Sequence, residues 1–258
     1  MFLKTIDFSK YSSIKVGTAL EVLMIEKNDL PPKERYLIAG ANNLLISANP
    51  PPLMMLSKDF AFIKEEKEFL VIGAAMPTGR IVSYAKKHNI SGFEFCSKLP
   101  GTLGGMLAMN AGVKTYEIFN ILHSVKIDGH WILVDNIKHG YRFSELKGIA
   151  TEAKFKIKKG FDSQLLETLI NLRSNQPHEP SAGSAFKNPQ GDYAGRLIEA
   201  VGLKGLKKGG MAWSDVHSNF LVNLGGGTFE DAKYLIELAK KKVLTQFNIR
   251  LQEEIKIL

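Results

Sequence analysis

The sequence predicts a soluble protein that mixes short strands with helices, and three observations predict it. Residues 1–58 are short apolar runs broken by Gly, Asn and Pro. Residues 53–160 alternate strand-like and helix-like patterns, as where the run 69–73 is followed by the helical stripe Ile81, Tyr84 and Ala85. Residues 161–258 carry helical patterns and end on an alternation, with Leu251, Glu253, Ile255 and Ile257 on one face and Arg250, Gln252, Glu254 and Lys256 on the other.

Composition narrows the class. Of 258 residues, 45% are hydrophobic and 23% charged, the balance of a soluble globular chain that can bury its own core. The single cysteine, Cys96, forbids an internal disulfide, and no Cys/His spacing suits a metal, so no metal site is expected. The first residues lack a basic-then-apolar leader and no apolar run reaches membrane-spanning length, so a cytoplasmic chain without membrane association is expected. The formal net charge is +8, but the lysines are spread along the chain. The densest groups, Lys204 to Lys208 and Lys240 to Lys242, lack interleaved aromatics, so nucleic acid is not expected as a partner.

In chain order, a strand over 35–38 runs into Ala39, Gly40, Ala41, Asn42 and Asn43, and a second apolar run begins at Leu44. Bare backbone N–H groups in such a turn can point at an anion, although Asn and Gly also serve ordinary hairpins. The prolines at 50–52 break the chain before Leu53. A helix over 78–88 has Thr78 as its expected N-cap. The most glycine-rich stretch follows, with Pro100, Gly101, Thr102, Gly104, Gly105, Asn110 and Gly112. Pro100 suits a first helical turn, and Gly101 and Thr102 would then offer free N–H groups to a phosphate. Tight packing of a glycine-rich helix is the alternative.

Strands over 124–128 and 131–134 flank a turn at Asp128, Gly129 and His130, and then come Tyr141, Arg142, Phe143 and Ser144. Arg142 suits either a carboxylate clamp or a surface position. A helix over 165–173 stops before Pro177. Residues 181–189 then set two serines, Gly183, Lys187 and Asn188 between Pro180 and Pro189. Gly183 can adopt angles closed to other residues and so present Ser184 at a bend, while a Pro-bounded surface turn would use the same residue types. Asp192 is the expected cap of the next helix, with Gly202 just past its end, and Thr228 to Asp231 opens a long amphipathic helix.

Taken together, five of these segments resemble the UDP-N-acetylenolpyruvoylglucosamine reductase (MurB) family over nearly the whole length. They are the turn 39–45, Pro-Gly-Thr-x-Gly-Gly at 100–105 with Met-Asn-Ala-Gly at 109–112, Tyr-Arg-x-Ser at 141–144, the stretch 181–189, and Ser214, His217, Asn219, Phe220 and Asn223. Lys98, Ala41, Asn42, Asp215, Val216, Gln252 and Glu253 depart from the usual pattern, and the length resembles the short subtype lacking a tyrosine-bearing loop.

The resemblance implies an α+β fold: a two-part FAD-binding unit of the vanillyl-alcohol-oxidase type over 1–58 and 59–160, and a C-terminal α+β substrate domain over 161–258 whose last strand reaches the active site. It implies NADPH-dependent, FAD-mediated reduction of UDP-N-acetylglucosamine enolpyruvate to UDP-N-acetylmuramate in peptidoglycan precursor synthesis, by a monomer with noncovalent FAD. By the same resemblance Ser184, Arg142 and Glu254 are catalytic. Gly40, Ala41, Asn42, Asn43, Leu44, Pro100, Gly101, Thr102, Gly104, Gly105, Asn110 and Gly112 contact FAD, and Tyr141, Lys187 and Asn188 contact the UDP-sugar.

Overall fold

The computed structural model describes residues 1–258. Six α-helices punctuate many short strands: α1 (Phe8–Tyr11), α2 (Thr78–Lys87), α3 (Leu103–Ala108), α4 (Ser163–Asn171), α5 (Ala194–Ala200) and α6 (Phe229–Phe247). The chain forms two compact units, one of Met1–Lys4, Val22–Gly40 and Pro52–Ser174, the other of Thr5–Glu21, Ala41–Pro51 and Asn175–Leu258. α4 belongs to the first unit, and two early stretches, 5–21 and 41–51, belong to the second.

In the first unit, Tyr36–Leu37 and the later part of the strand Ala19–Ile25 pair in parallel with Leu53–Leu56. An antiparallel five-stranded sheet follows, in the order His130–Leu133, Leu122–Ile127, Ala150–Lys156, Phe69–Gly73, Ile63–Glu66. Asp128 and Gly129 both take positive φ in the two-residue hairpin turn, as the right-handed strand twist favours. A register shift between Leu122 and Ser124 puts Leu122 and Val125 into the same core despite their odd spacing. Ile81, Val82 and Ala85 of α2, Leu103 and Met106 of α3 and Leu169 of α4 join that core with Leu70, Ile72 and Phe155.

Thr78 does not cap α2. Pro77 takes that position, since the Thr78 N–H donates to the Gly101 carbonyl and its hydroxyl to the Leu99 carbonyl.

The second unit holds a four-stranded antiparallel sheet in the order Ser181–Ser184, Phe220–Asn223, Met211–Trp213, Lys207–Lys208. Leu197 and Ile198 of α5 and Leu235, Ile236 and Ala239 of α6 bury against Phe186, Trp213 and Leu221. α6 opens on a complete capping box between Thr228 and Asp231. Gly202 follows α5 at φ +72°. Asp192 does not cap α5. Tyr193 holds that position, and the Asp192 carboxylate is drawn instead to the Arg196 guanidinium and the Tyr193 N–H. Of the expected last strand only Lys256–Ile257 forms a ladder, paired in parallel with Leu44–Leu45, while Glu253 makes an isolated antiparallel bridge to Phe186. Leu251 and Ile255 are nevertheless buried, and Glu253 pairs with Lys240 at 2.7 Å. No helix is long and apolar enough to cross a membrane.

Candidate active site

Residues 181–189 begin as a strand rather than as a free turn. Ser181 stands opposite Val222 and Ser184 opposite Phe220, so three steps on one strand face two on the other. The surplus is a bulge, and Gly183 sits in it at φ +78°. Nothing lies within 4 Å of a Cβ built on Gly183, so its backbone angle, not crowding, demands glycine. The bulge re-aims the next side chain, Ser184, which is half-buried.

The chain beyond Ser184 is held from two sides. The Ala185 N–H donates to the Asn219 carbonyl at 2.8 Å, and the Ala185 carbonyl accepts the Glu254 N–H at 2.8 Å. The Lys187 N–H donates to the Gln252 carbonyl at 2.9 Å. Glu254 is therefore tied one residue from Ser184, while Glu253 turns the other way toward Lys240. Glu254 is half-buried, and its carbonyl accepts the Asn43 side-chain amide at 2.9 Å. Asn188 uses its side-chain oxygen to accept the Ala194 N–H at the start of α5. Lys187 is half-buried.

In the turn that carries Asn43, Ala41 is buried at φ +52° and the Asn42 amide donates to the Ser13 hydroxyl. The N–H groups of Gly40, Ala41 and Asn42 have no backbone acceptor. Leu44 is buried in the pairing with Lys256.

Arg142 belongs to the first unit. His139 pairs with Ser144 and Gly140 with Phe143, which leaves Tyr141 and Arg142 as a two-residue hairpin loop. Arg142 takes φ +53°, a left-handed conformation that costs a non-glycine residue about 1–2 kcal/mol. Lys67 and Lys114 take nearly the same angle in two other two-residue hairpin loops. The guanidinium donates to the Gly112 carbonyl at 3.1 Å and lies 5.1 Å from the centre of the exposed Tyr141 ring. The Ser144 hydroxyl donates to the Leu107 carbonyl at 2.6 Å, which fastens the hairpin to α3.

α3 begins at Leu103, so Pro100 lies outside its first turn. The Leu103 and Gly104 N–H groups are spent on the Met76 and Ala74 carbonyls. Those of Gly101, Thr102 and Gly105 have no backbone acceptor, and they are what this loop offers an anion. A Cβ on Gly104 would lie 3.1 Å from the Ala74 carbonyl oxygen, and one on Gly105 3.3 Å from Ala39 Cβ. Both glycines thus let the first turn of α3 pack closely against residues 39 and 74. Gly112 is tighter still, because a Cβ there would lie 2.1 Å from the Tyr116 carbonyl oxygen. Asn110 is fully buried and spends its side chain on Glu117, the Gly140 carbonyl and the Phe119 N–H. Its amide positions Gly140, two residues before Arg142.

Two polar residues in the second unit had no assigned task in the sequence. Asn219 is buried and brackets Phe186, accepting its N–H at 3.0 Å and donating to its carbonyl at 2.7 Å. His217 accepts the Asn219 N–H at Nδ1, which leaves the ring neutral, and burial pushes its basicity below the ordinary histidine range. Their spacing within 214–223 is visible in the sequence, but not that Asn219 reaches the segment after Ser184 with His217 behind it.

A model of the UDP-N-acetylenolpyruvoylglucosamine reductase C-terminal domain matches residues 176–258. The UDP-N-acetylenolpyruvoylglucosamine reductase of Helicobacter hepaticus is 47% identical over 257 residues, covering 98% of both chains. That of Campylobacter jejuni strain RM1221 is 47% identical over 258 residues, covering 98% of this chain and 99% of its own. The crystal structure of the Thermus caldophilus UDP-N-acetylenolpyruvylglucosamine reductase superposes with a TM-score of 0.86 at 29% identity, covering 100% of this chain and 99% of that one.

Proposed function

Because the chain belongs to the UDP-N-acetylenolpyruvoylglucosamine reductase family and is an oxidoreductase, we propose that it uses NADPH and noncovalent FAD to convert UDP-N-acetylglucosamine enolpyruvate to UDP-N-acetylmuramate. The observation that carries the reading is the bond from the Glu254 N–H to the Ala185 carbonyl, which fixes two proposed catalytic residues beside one another. The product serves peptidoglycan precursor synthesis, and the enzyme works as a cytoplasmic monomer. Residues 1–58 and 59–160 supply the FAD-binding parts and 161–258 the substrate part.

The residues present suit FAD. Its pyrophosphate finds unspent N–H donors at Gly40, Ala41 and Asn42 and at Gly101, Thr102 and Gly105, with Asn43, Leu44, Pro100, Gly104, Asn110 and Gly112 shaping those loops. When bound, FAD would supply the hydride for C3 of the enolpyruvyl group, with electrons drawn from NADPH.

The protein handles the charge and the proton. Negative charge develops at C2 and spreads to its carboxylate. Arg142 offsets it with a planar guanidinium whose direction the hairpin and Gly112 constrain. Glu254 aids the same charge when it carries a proton or a hydrogen bond, since a bare carboxylate would repel it. Ser184 gives its proton to C2 and regains one from solvent. Tyr141, Lys187 and Asn188 hold the UDP-sugar. An absorbance scan of purified protein for the flavin band near about 450 nm, followed by rapid mixing with NADPH and then with the enolpyruvyl substrate, tests this reading. Colourless protein that stays colourless after incubation with FAD would overturn it.

A further inference from the structure

Ser184 has one flexible bond to its hydroxyl, so where that oxygen sits depends on the backbone that carries it. The bulge at Gly183 frees the strand from regular pairing just before Ser184. Ala185 and Phe186 lie beyond the strand Ser181–Ser184, and on one side Phe186 makes only an isolated antiparallel bridge to Glu253. On the other side three hydrogen bonds with a single residue hold them. The Asn219 carbonyl accepts the Ala185 N–H at 2.8 Å. The Asn219 side chain accepts the Phe186 N–H at 3.0 Å and donates to the Phe186 carbonyl at 2.7 Å. Asn219 is 3% exposed, so these groups have no water to exchange with. The Ala185 carbonyl, on the same short segment, accepts the Glu254 and Ile255 N–H groups at 2.8 and 3.3 Å. The position of Glu254 is thus set by the segment that Asn219 brackets.

We infer that Asn219 is a positioning residue of the proton-transfer half of the reaction: its two-sided grip on Phe186 fixes where Ser184 and Glu254 meet the substrate carbon. This rests on the roles proposed for Ser184 and Glu254. Asparagine suits the task because one short side chain offers a donor and an acceptor to the same peptide. An aspartate there keeps the acceptor for the Phe186 N–H but turns an oxygen toward the Phe186 carbonyl, which pushes the segment away.

The test compares Asn219→Asp, Asn219→Ser and Ser184→Ala in the FAD-loaded enzyme by rapid mixing. Reduction by NADPH and reoxidation by the enolpyruvyl substrate are followed separately, in water and in deuterium oxide. Both Asn219 variants are expected to reduce within about twofold of the parent rate and to reoxidise at least about tenfold more slowly, with a larger solvent isotope effect, as a misplaced proton donor requires. Loading of FAD and the half-saturating substrate concentration should stay within about twofold. Asn219→Ser keeps the inference testable if the aspartate variant does not fold. Equal slowing of both half-reactions, or an unchanged isotope effect, would make Asn219 a fold residue only and overturn the inference. Slow reoxidation in Ser184→Ala with normal Asn219 variants would overturn it and leave the proposed function standing. Normal reoxidation in Ser184→Ala would overturn the role of Ser184 and this inference with it.

Discussion

Two places in this chain set a proposed catalytic side chain at or beside a left-handed backbone position, and they do it differently. In the second unit Gly183 takes φ +78° and its neighbour Ser184 carries the hydroxyl. In the first, Arg142 itself takes φ +53° while also carrying the guanidinium. Glycine meets that angle at little steric cost, and a Cβ there would touch nothing. Arginine gives up about 1–2 kcal/mol and recovers part of it through the Gly112 carbonyl and the Tyr141 ring. Separating the bend from the chemistry, as at 183–184, leaves both free to be optimised. Merging them, as at Arg142, ties the direction of the charge to the strain.

The largest effect should come from breaking the merged case. Arg142→Lys keeps the charge and loses the planar fork, and reoxidation by the enolpyruvyl substrate should slow on the order of a hundredfold or more. Arg142→Gly should be as slow yet melt within about 3 °C of the parent, since relieved strain offsets the lost contacts. A collapse in melting temperature would make Arg142 a structural anchor. Ser184→Ala should also slow reoxidation by about a hundredfold with normal NADPH reduction, and Ser181→Ala should do far less.

Gly104→Val and Gly105→Val address the first turn of α3, the helix to which Ser144 fastens the Arg142 hairpin. Added methyls would press on Ala74 and Ala39, so FAD content after purification should drop in both. Full flavin occupancy would show that the start of α3 yields. A smaller effect belongs to Gly183→Ala: no clash, a backbone cost of about 1–2 kcal/mol by denaturant titration, and about tenfold slower reoxidation as Ser184 shifts.

The smallest concerns His217. Its basicity in the fold lies below the unfolded value of 6.5, so the unfolded chain binds the extra proton first. Its contribution is complete above pH 6.5 and is lost as pH falls through the lower folded value. His217→Gln should flatten that acid-side loss in a series of melting curves, and a series parallel to the parent's would disconnect His217 from it.

Much of this was legible because local chemistry decided it. Gly183 announces a bend, Asp128 and Gly129 a tight hairpin, and Thr228 with Asp231 a capping box, and each is found. The left-handed Arg142 was not legible, since nothing in an arginine asks for that angle. Thr78 and Asp192 look like caps, but longer-range partners at 99–101 and Arg196 took their polar groups. Residues 181–184 read as a turn and form a strand because Phe220–Asn223 lies opposite. Asn219 could be seen as part of a pattern, while its grip on Phe186 depends on contacts 33 residues apart in the chain.

The parallel pairing of Leu44–Leu45 with Lys256–Ile257 bears on how the protein is made. On the ribosome the first unit is in hand once residue 174 has emerged, and its sheet can close while synthesis continues. The second unit must keep residues 5–21 and 41–51 waiting for 252–258. Asn43 meets the Glu254 carbonyl, and Leu45 the Leu258 N–H, only after residues 254–258 have been translated, more than 200 residues later. Residues 252–258 therefore lock the proposed proton-transfer site well after the residues of the first unit have emerged, so a nascent chain stalled between 174 and 252 would hold no working centre.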